Sequence, residues 1–265
     1  MGTLCALNTT DTHADITEKN GIPTVETVFV KDDGKEVKTI HCQMNQLVKS
    51  KTTITVAKGT LNYTLGLGGG IPANFTPDLK ITVNGTEIHN YTDKTTSVPG
   101  THEITFDDAY IKSLTPGTKI VVETSSRYAM GTDDSPYPVG ATLTYGAGGL
   151  QEDEMYYVTH GFDLIKYDGD TNNLITGAKF QLYDSATGGA PIALNKDYDG
   201  NYFIPNGYGN DPTSTVIEVN AKKAILIGGL GGKKYYLEEI KAPDGYNTVQ
   251  GRIEVDVAEK SILLN

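Results

Sequence analysis

The feature that most constrains this chain is a succession of short segments in which residues alternate with period two, punctuated by glycine, proline, asparagine and aspartate. In the first half these are Thr24–Val30, Val37–Met44, Thr52–Ala57, Thr60–Leu67, Leu79–Val83, Glu87–Tyr91, His102–Phe106, Lys119–Ser125, Ala141–Tyr145 and Met155–Thr159. A second set opens at Phe162–Tyr167 and runs through Lys179–Tyr183, Pro191–Leu194, Tyr202–Ile204, Val216–Asn220, Ala224–Ile227, Tyr235–Ile240, Arg252–Val257 and Ser261–Asn265. Alternation sends successive side chains to opposite faces of an extended backbone, as half-buried strands require. Asn84-Gly85 predicts a type I′ hairpin turn. One short helix is expected, capped by Asp107 and stopped by Pro116-Gly117. The chain therefore reads as all-β, with two β-sandwiches over residues 22–159 and 160–265 behind a polar, flexible lead, 1–21.

Composition narrows the function. The 265 residues carry a formal charge of −11, the wrong sign for a surface that neutralises nucleic-acid phosphates. No apolar run reaches the length of a membrane span, so no membrane insertion is expected of this stretch. Sixteen tyrosines, 30 glycines and no tryptophan suit strands and turns. Cys5 and Cys42, the two thiols, are too few for a disulfide framework. A pair between them and two free thiols both remain open.

The sharpest local conflict lies in Tyr235–Tyr246, Tyr-Tyr-Leu-Glu-Glu-Ile-Lys-Ala-Pro-Asp-Gly-Tyr. Alternation places Tyr235, Leu237 and Glu239 on one face, and Ala242-Pro243-Asp244-Gly245 ends the strand. A carboxylate on an apolar face must be protonated or paired. The pattern Tyr235-x-Leu237-x-Glu239-x-x-Ala242-Pro243-x-Gly245-Tyr246 resembles the E-box of CnaB-type domains. These are immunoglobulin-like modules of pilins and sortase-anchored adhesins in Gram-positive bacteria. Phe162–Asp168 resembles the first strand of the same domains, with Phe162, Leu164 and Lys166 in phase.

The resemblance implies a self-formed isopeptide bond, with Lys166 as nucleophile, Glu239 as proton shuttle and an asparagine of the last strand as acceptor. Asn265, in phase with Leu263, is the acceptor expected; Asp256 alternates with Ile253, Val255 and Val257 and should face solvent. Burial disfavours charge and so favours a neutral amine beside a neutral acid. A neutral amine can attack the carboxamide carbon while the acid relays the proton to departing ammonia. Folding supplies the orientation. The reaction would run once per molecule, so the chain is not expected to be an enzyme. The alternative is a Lys166–Glu239 ion pair with no covalent bond.

Residues 22–158 resemble a pilin middle domain more loosely, through Gly69–Gly85. The resemblance sets the family's acid at Gly69, its lysine at Glu26 or Thr27 and its asparagine within Gly146–Gly149. All three positions depart, so no isopeptide bond is expected there, Lys31 having no acid partner.

Asp168-x-Asp170-x-Asn172 and Asp197-x-Asp199-x-Asn201 have the spacing of half a calcium loop. Lys179 and Tyr208 stand where the closing glutamate belongs, so turns explain both and no metal or cofactor is expected. The resemblance implies an extracellular structural subunit of a pilus or wall-anchored fibre, with sortase and other pilin subunits as partners. The alternative is an adhesin whose first domain binds a host matrix protein or glycan. No Leu-Pro-x-Thr-Gly signal follows Asn265, and Tyr137-Pro138-Val139 has valine where a pilin motif has lysine. Shaft, tip or base subunit and monomeric adhesin therefore stay open.

Overall fold

The computed structural model describes residues 21–68, 78–95, 101–129, 134–207, 213–219 and 223–257. The strands of the first half are Thr24–Val30 (β1), Glu36–Val37 (β2), Thr39–His41 (β3), Leu47–Thr55 (β4), Thr64–Gly68 (β5), Asp78–Val83 (β6), Thr86–Glu87 (β7), Tyr91–Thr95 (β8), His102–Phe106 (β9), Lys119–Arg127 (β10), Tyr137–Tyr145 (β11) and Gly149–Val158 (β12). The second half contributes His160–Leu164 (β13), Lys179–Tyr183 (β14), Leu194–Lys196 (β15), Tyr202–Phe203 (β16), Thr213–Ser214 (β17), Ile217–Glu218 (β18), Ile225–Leu230 (β19), Lys234–Lys241 (β20) and Arg252–Asp256 (β21). Among the described residues there is a single helix, Asp108–Ser113 (α1), capped by Asp107, whose carboxylate accepts the Ala109 N–H, as the sequence predicts.

The first half is a sandwich of two six-stranded sheets, β2-β1-β4-β10-β6-β7 and β3-β12-β11-β5-β9-β8. Inward positions alternate along β4 as Val48, Ser50, Thr52 and Ile54, and along β10 as Ile120, Val122, Thr124 and Ser126. The core is accordingly layered. One apolar cluster includes Ile54, Leu65, Ile81, Ile104, Ile120 and Leu143. Another gathers Phe29, Cys42, Tyr128, Val139 and Tyr157. Buried hydroxyls of Thr27, Ser50, Thr52, Thr124 and Ser126 belong to neither. Burial pushes the Cys42 thiol up to about 12, an unreactive state; Cys5 lies outside the described residues.

The second half packs a five-stranded sheet, β13-β19-β16-β15-β17, on a four-stranded one, β18-β14-β20-β21. Its core holds Leu182, Leu194, Tyr202, Ile225, Ile227, Tyr235 and Leu237. The two tandem sandwiches meet without a linker: β12 ends at Val158, β13 begins at His160, and Thr159 between them is buried. Met44, from the loop between β3 and β4, belongs to the second half's core, and its N–H donates to Gly229 O at 2.9 Å. Gly229 sits at φ +74°, and a Cβ there would stand 3.2 Å from Met44 Cε. At the same seam His160 is fully buried, with Nε2 2.9 Å from His41 Nδ1 and Nδ1 2.5 Å from Asp134 Oδ1.

Several segments differ from the expected ones. The acidic run Gln151–Glu154 lies inside β12, its even-numbered side chains turned outward. Val37–Met44 divides into β2, β3 and the Met44 loop. Ile253, expected inward, is 42% exposed on β21, which is an edge strand among the described residues, whereas Val255 packs on the core and Val257 is buried.

Candidate functional site

The E-box strand folds as its alternation dictates. In β20, Tyr235, Leu237 and Glu239 are buried, while Lys234, Ile240 and Lys241 are exposed. The turn beyond it closes with Tyr246 N–H donating to Pro243 O at 3.1 Å, and Gly245 takes φ +87°, where other L-residues are strained. Glu239 thus ends an apolar stripe with its side chain fully buried.

Lys166 comes from the opposite sheet. Phe162 and Leu164 of β13 pack on the core, and Lys166 follows in the same phase. Its Nζ lies 3.1 Å from Glu239 Oε1, with the lysine side chain 22% exposed and the glutamate side chain 0% exposed. The amine therefore reaches across the sandwich to a carboxyl in the opposite sheet. Glu239 Oε2 accepts the Val249 N–H at 2.8 Å. Oε1 is buried without a hydrogen bond of good angle, and it lies 3.1 Å from the Lys166 amine. Glu239 is thus a buried carboxyl held by a backbone amide at one oxygen and facing an amine at the other.

Two further contacts hold the pair in place. Lys166 sits at the base of an irregular hairpin, its carbonyl accepting the Ile175 N–H at 3.1 Å while Tyr167 bridges Leu174. Asp168 caps that hairpin by accepting the Asp170 and Thr171 N–H groups at 2.9 and 2.8 Å. The Tyr246 hydroxyl donates to its other oxygen, tying the lysine's hairpin to the E-box turn. That hydroxyl, followed by the two amides, holds the Asp168 carboxyl down at about 2. The Tyr246–Asp168 link was not legible from spacing, although both residues stand in the two motifs.

Asn265 lies outside the described residues. β13 is nevertheless at the edge of its sheet, paired among the described residues with β19 alone. Its outer edge is free in the described structure for one more strand beside Lys166.

The remaining candidates are accounted for by local bonding. Asp197 accepts the Asn201 N–H and side-chain amide at 2.8 and 3.0 Å, so its carboxylate serves its own turn, as that of Asp168 does. Among the described residues no cluster of three or more potential metal ligands occurs. In the first half Thr27 is buried with its hydroxyl 2.8 Å from Thr52 Oγ1, and Glu26 is exposed. The amine that reaches this strand belongs to Lys38, which donates to Thr27 O at 2.7 Å and pairs with Asp153. Gly69 lies outside the described residues. No described helix is long and apolar enough to cross a membrane.

Comparison with known proteins bears on the fold. Residues 160–264 match the family model described as SpaA, prealbumin-like fold domain. No curated protein matches the chain. Among solved structures, the 35 kDa C-terminal fragment of the major pilin GBS80 of Streptococcus agalactiae superposes with a TM-score of 0.66 at 16% identity, covering 90% of this chain and 92% of that one. The pilus backbone protein RrgB of Streptococcus pneumoniae gives 0.62 at 13% identity, with 89% and 93% covered. The group B streptococcus pilus 2b backbone protein gives 0.55 at 22% identity, with 89% of each chain covered. The chain has the all-β fold of Gram-positive major pilins, with a prealbumin-like domain of the SpaA type matched over its second half.

Proposed function

We propose that this chain is a structural subunit of a Gram-positive cell-surface pilus or wall-anchored fibre, its second domain stabilised by an isopeptide bond between Lys166 and Asn265. The observation that carries the reading is the Lys166 amine 3.1 Å from the fully buried Glu239 carboxyl, bridging the two sheets. The free outer edge of β13 supports a final strand that brings Asn265 beside that amine.

In the proposed step the Lys166 Nζ lone pair attacks Asn265 Cγ, and a C–N bond forms. Glu239 takes a proton from the amine and returns it to the departing Nδ2, which leaves as ammonia. No oxidant or outside co-reactant is needed. The product would connect strands near the two ends of the domain, so that tension entering there passes through a covalent bond and bypasses most of the hydrogen-bonded ladder.

Sortase and other pilin subunits are the partners this role requires, at the outside of the cell wall. The test has two parts. Peptide mapping of the purified chain should yield a branched peptide joining the Lys166 and Asn265 segments, absent from Glu239→Ala. Extracts of the producing cells should show ladders of covalently linked subunits. Branched peptide without ladders would replace the pilus by a monomeric anchored adhesin, and binding to matrix proteins or a glycan array would then be measured. Absence of the branched peptide would end the cross-link.

A further inference from the structure

The hydroxyl layer of the first domain encloses a polar site that the pilin reading does not use. A cavity of about 20 Å³ lies between the two sheets, lined by Thr27, Ser50, Thr52, Thr124 and Ser126 from one sheet and by His102 from the other. His102 is 5% exposed. Its Nδ1 is 2.8 Å from Asp93 Oδ2; in the tautomer whose Nδ1–H donates to that carboxylate, Nε2 carries the ring's lone pair. Nε2 is buried and has no hydrogen-bond partner.

The hydroxyls facing it have a proton to spare. Thr52 and Thr27 are 2.8 Å apart, and Thr27 donates onward to Met155 Sδ at 3.8 Å, which closes that pair. Ser50 Oγ and Thr124 Oγ1 are 2.5 Å apart. One of these two hydroxyls donates to the other, and the second hydrogen is left without an acceptor inside the pair. A buried acceptor thus stands across a small polar cavity from a buried donor. Leaving both unmade is costly.

We propose that this cavity binds one structural water, which joins the two sheets by donating to His102 Nε2 and accepting from the Ser50–Thr124 pair. The volume fits a single molecule, since about 10–15 Å³ is the least that admits one and two to four polar partners are needed to hold it. The Thr52 hydroxyl oxygen, on the same wall, is the acceptor for its second hydrogen. The site would be a hydrogen-bonded bridge between sheets, placed between the two apolar clusters of this domain.

Magnetic relaxation dispersion on the whole chain counts long-lived internal waters, and His102→Phe removes Nε2 while keeping a ring of similar shape. The wild type should show one more such water than His102→Phe. Equal counts would overturn the assignment. Should that variant fail to fold, a high-resolution crystal structure of the wild type decides. Density for one water within hydrogen-bond distance of His102 Nε2 and of Ser50 or Thr124 is expected. An empty cavity, or Nε2 bonded directly to a hydroxyl, would contradict the proposal.

Discussion

Both sandwiches set a lysine against a carboxylate between their sheets, and they do so in opposite surroundings. In the first domain Lys38 spans the edges: its amine meets Thr27 O on β1 and the Asp153 carboxylate on β12, which also accepts the Thr27 N–H at 2.5 Å. The Lys38 side chain is 42% exposed and that of Asp153 25%. In the second domain Lys166 meets a Glu239 side chain that is fully buried beneath an apolar stripe. Water screens the first pair and stabilises both charges, leaving an ordinary surface ion pair. In the second pair the carboxyl has no solvent contact, and only the lysine is partly exposed, so burial makes the pair costly unless its members bond closely. Burial, more than residue type, separates the exposed clasp from the pair proposed to react.

Mutations can break this contrast in order of effect. Glu239→Ala should abolish the cross-link and lower the stability of the second domain most. A bond closing a loop of about 100 residues stabilises by about 4–5 kcal/mol if it acts as a disulfide of that span does. Thermal or denaturant unfolding of wild type and variant, followed by a probe in the second domain, measures the difference. An unchanged midpoint would mean that the pair is no more than an ion pair.

Met44→Ala should come next. Although Met44 belongs to the chain of the first domain, it fills the core of the second. Truncation of a buried methionine costs about 2–5 kcal/mol. The loss should register in the second domain's unfolding, and a loss confined to the first would show that the two cores are independent.

Lys38→Ala should cost at most about 1 kcal/mol, as partly exposed ion pairs do, and the deficit should shrink in high salt. A much larger loss would show that the first domain depends on its clasp as the second depends on its buried pair.

The smallest effect concerns Asp168. Its folded value, about 2, lies below the ordinary 3.8, chiefly through the Tyr246 hydroxyl. A depressed carboxyl contributes stability above its unfolded value and loses it as pH falls through the folded one, so the contribution should fade between about pH 4 and pH 2. In Tyr246→Phe, NMR titration of Asp168 should move toward the ordinary value. An unmoved titration would show that the two backbone amides alone hold it down.

Much of this was legible in local pattern. β1, β9 and β14 fall where alternation sets them, α1 begins at its aspartate cap, and Asn84-Gly85 takes φ +52° and +79°, as a type I′ turn requires. The burial of Tyr235, Leu237 and Glu239 follows from phase alone. Features set by distant pairing were not legible. The run Gln151–Glu154 is a strand because nine residues of β11 pair with β12, which composition does not announce. Alternation ends the expected strand at Ile227, yet Gly228 and Gly229 both lie in β19, where a Cβ on Gly229 would stand 3.2 Å from Met44 Cε. Met44 reads as the end of the alternating segment Val37–Met44, and nothing in that alternation places it in the other domain's core, which it enters from a loop. His102 reads only as the first residue of a strand, and its unpartnered nitrogen becomes visible only once both sheets are assembled.

The most direct test of the central claim is the intact mass of the purified chain. The account predicts a mass lower than that of the sequence by one ammonia, with the deficit abolished in Glu239→Ala. The full sequence mass in the wild type would contradict the cross-link, and a deficit of two ammonias would contradict the contrast between the two domains.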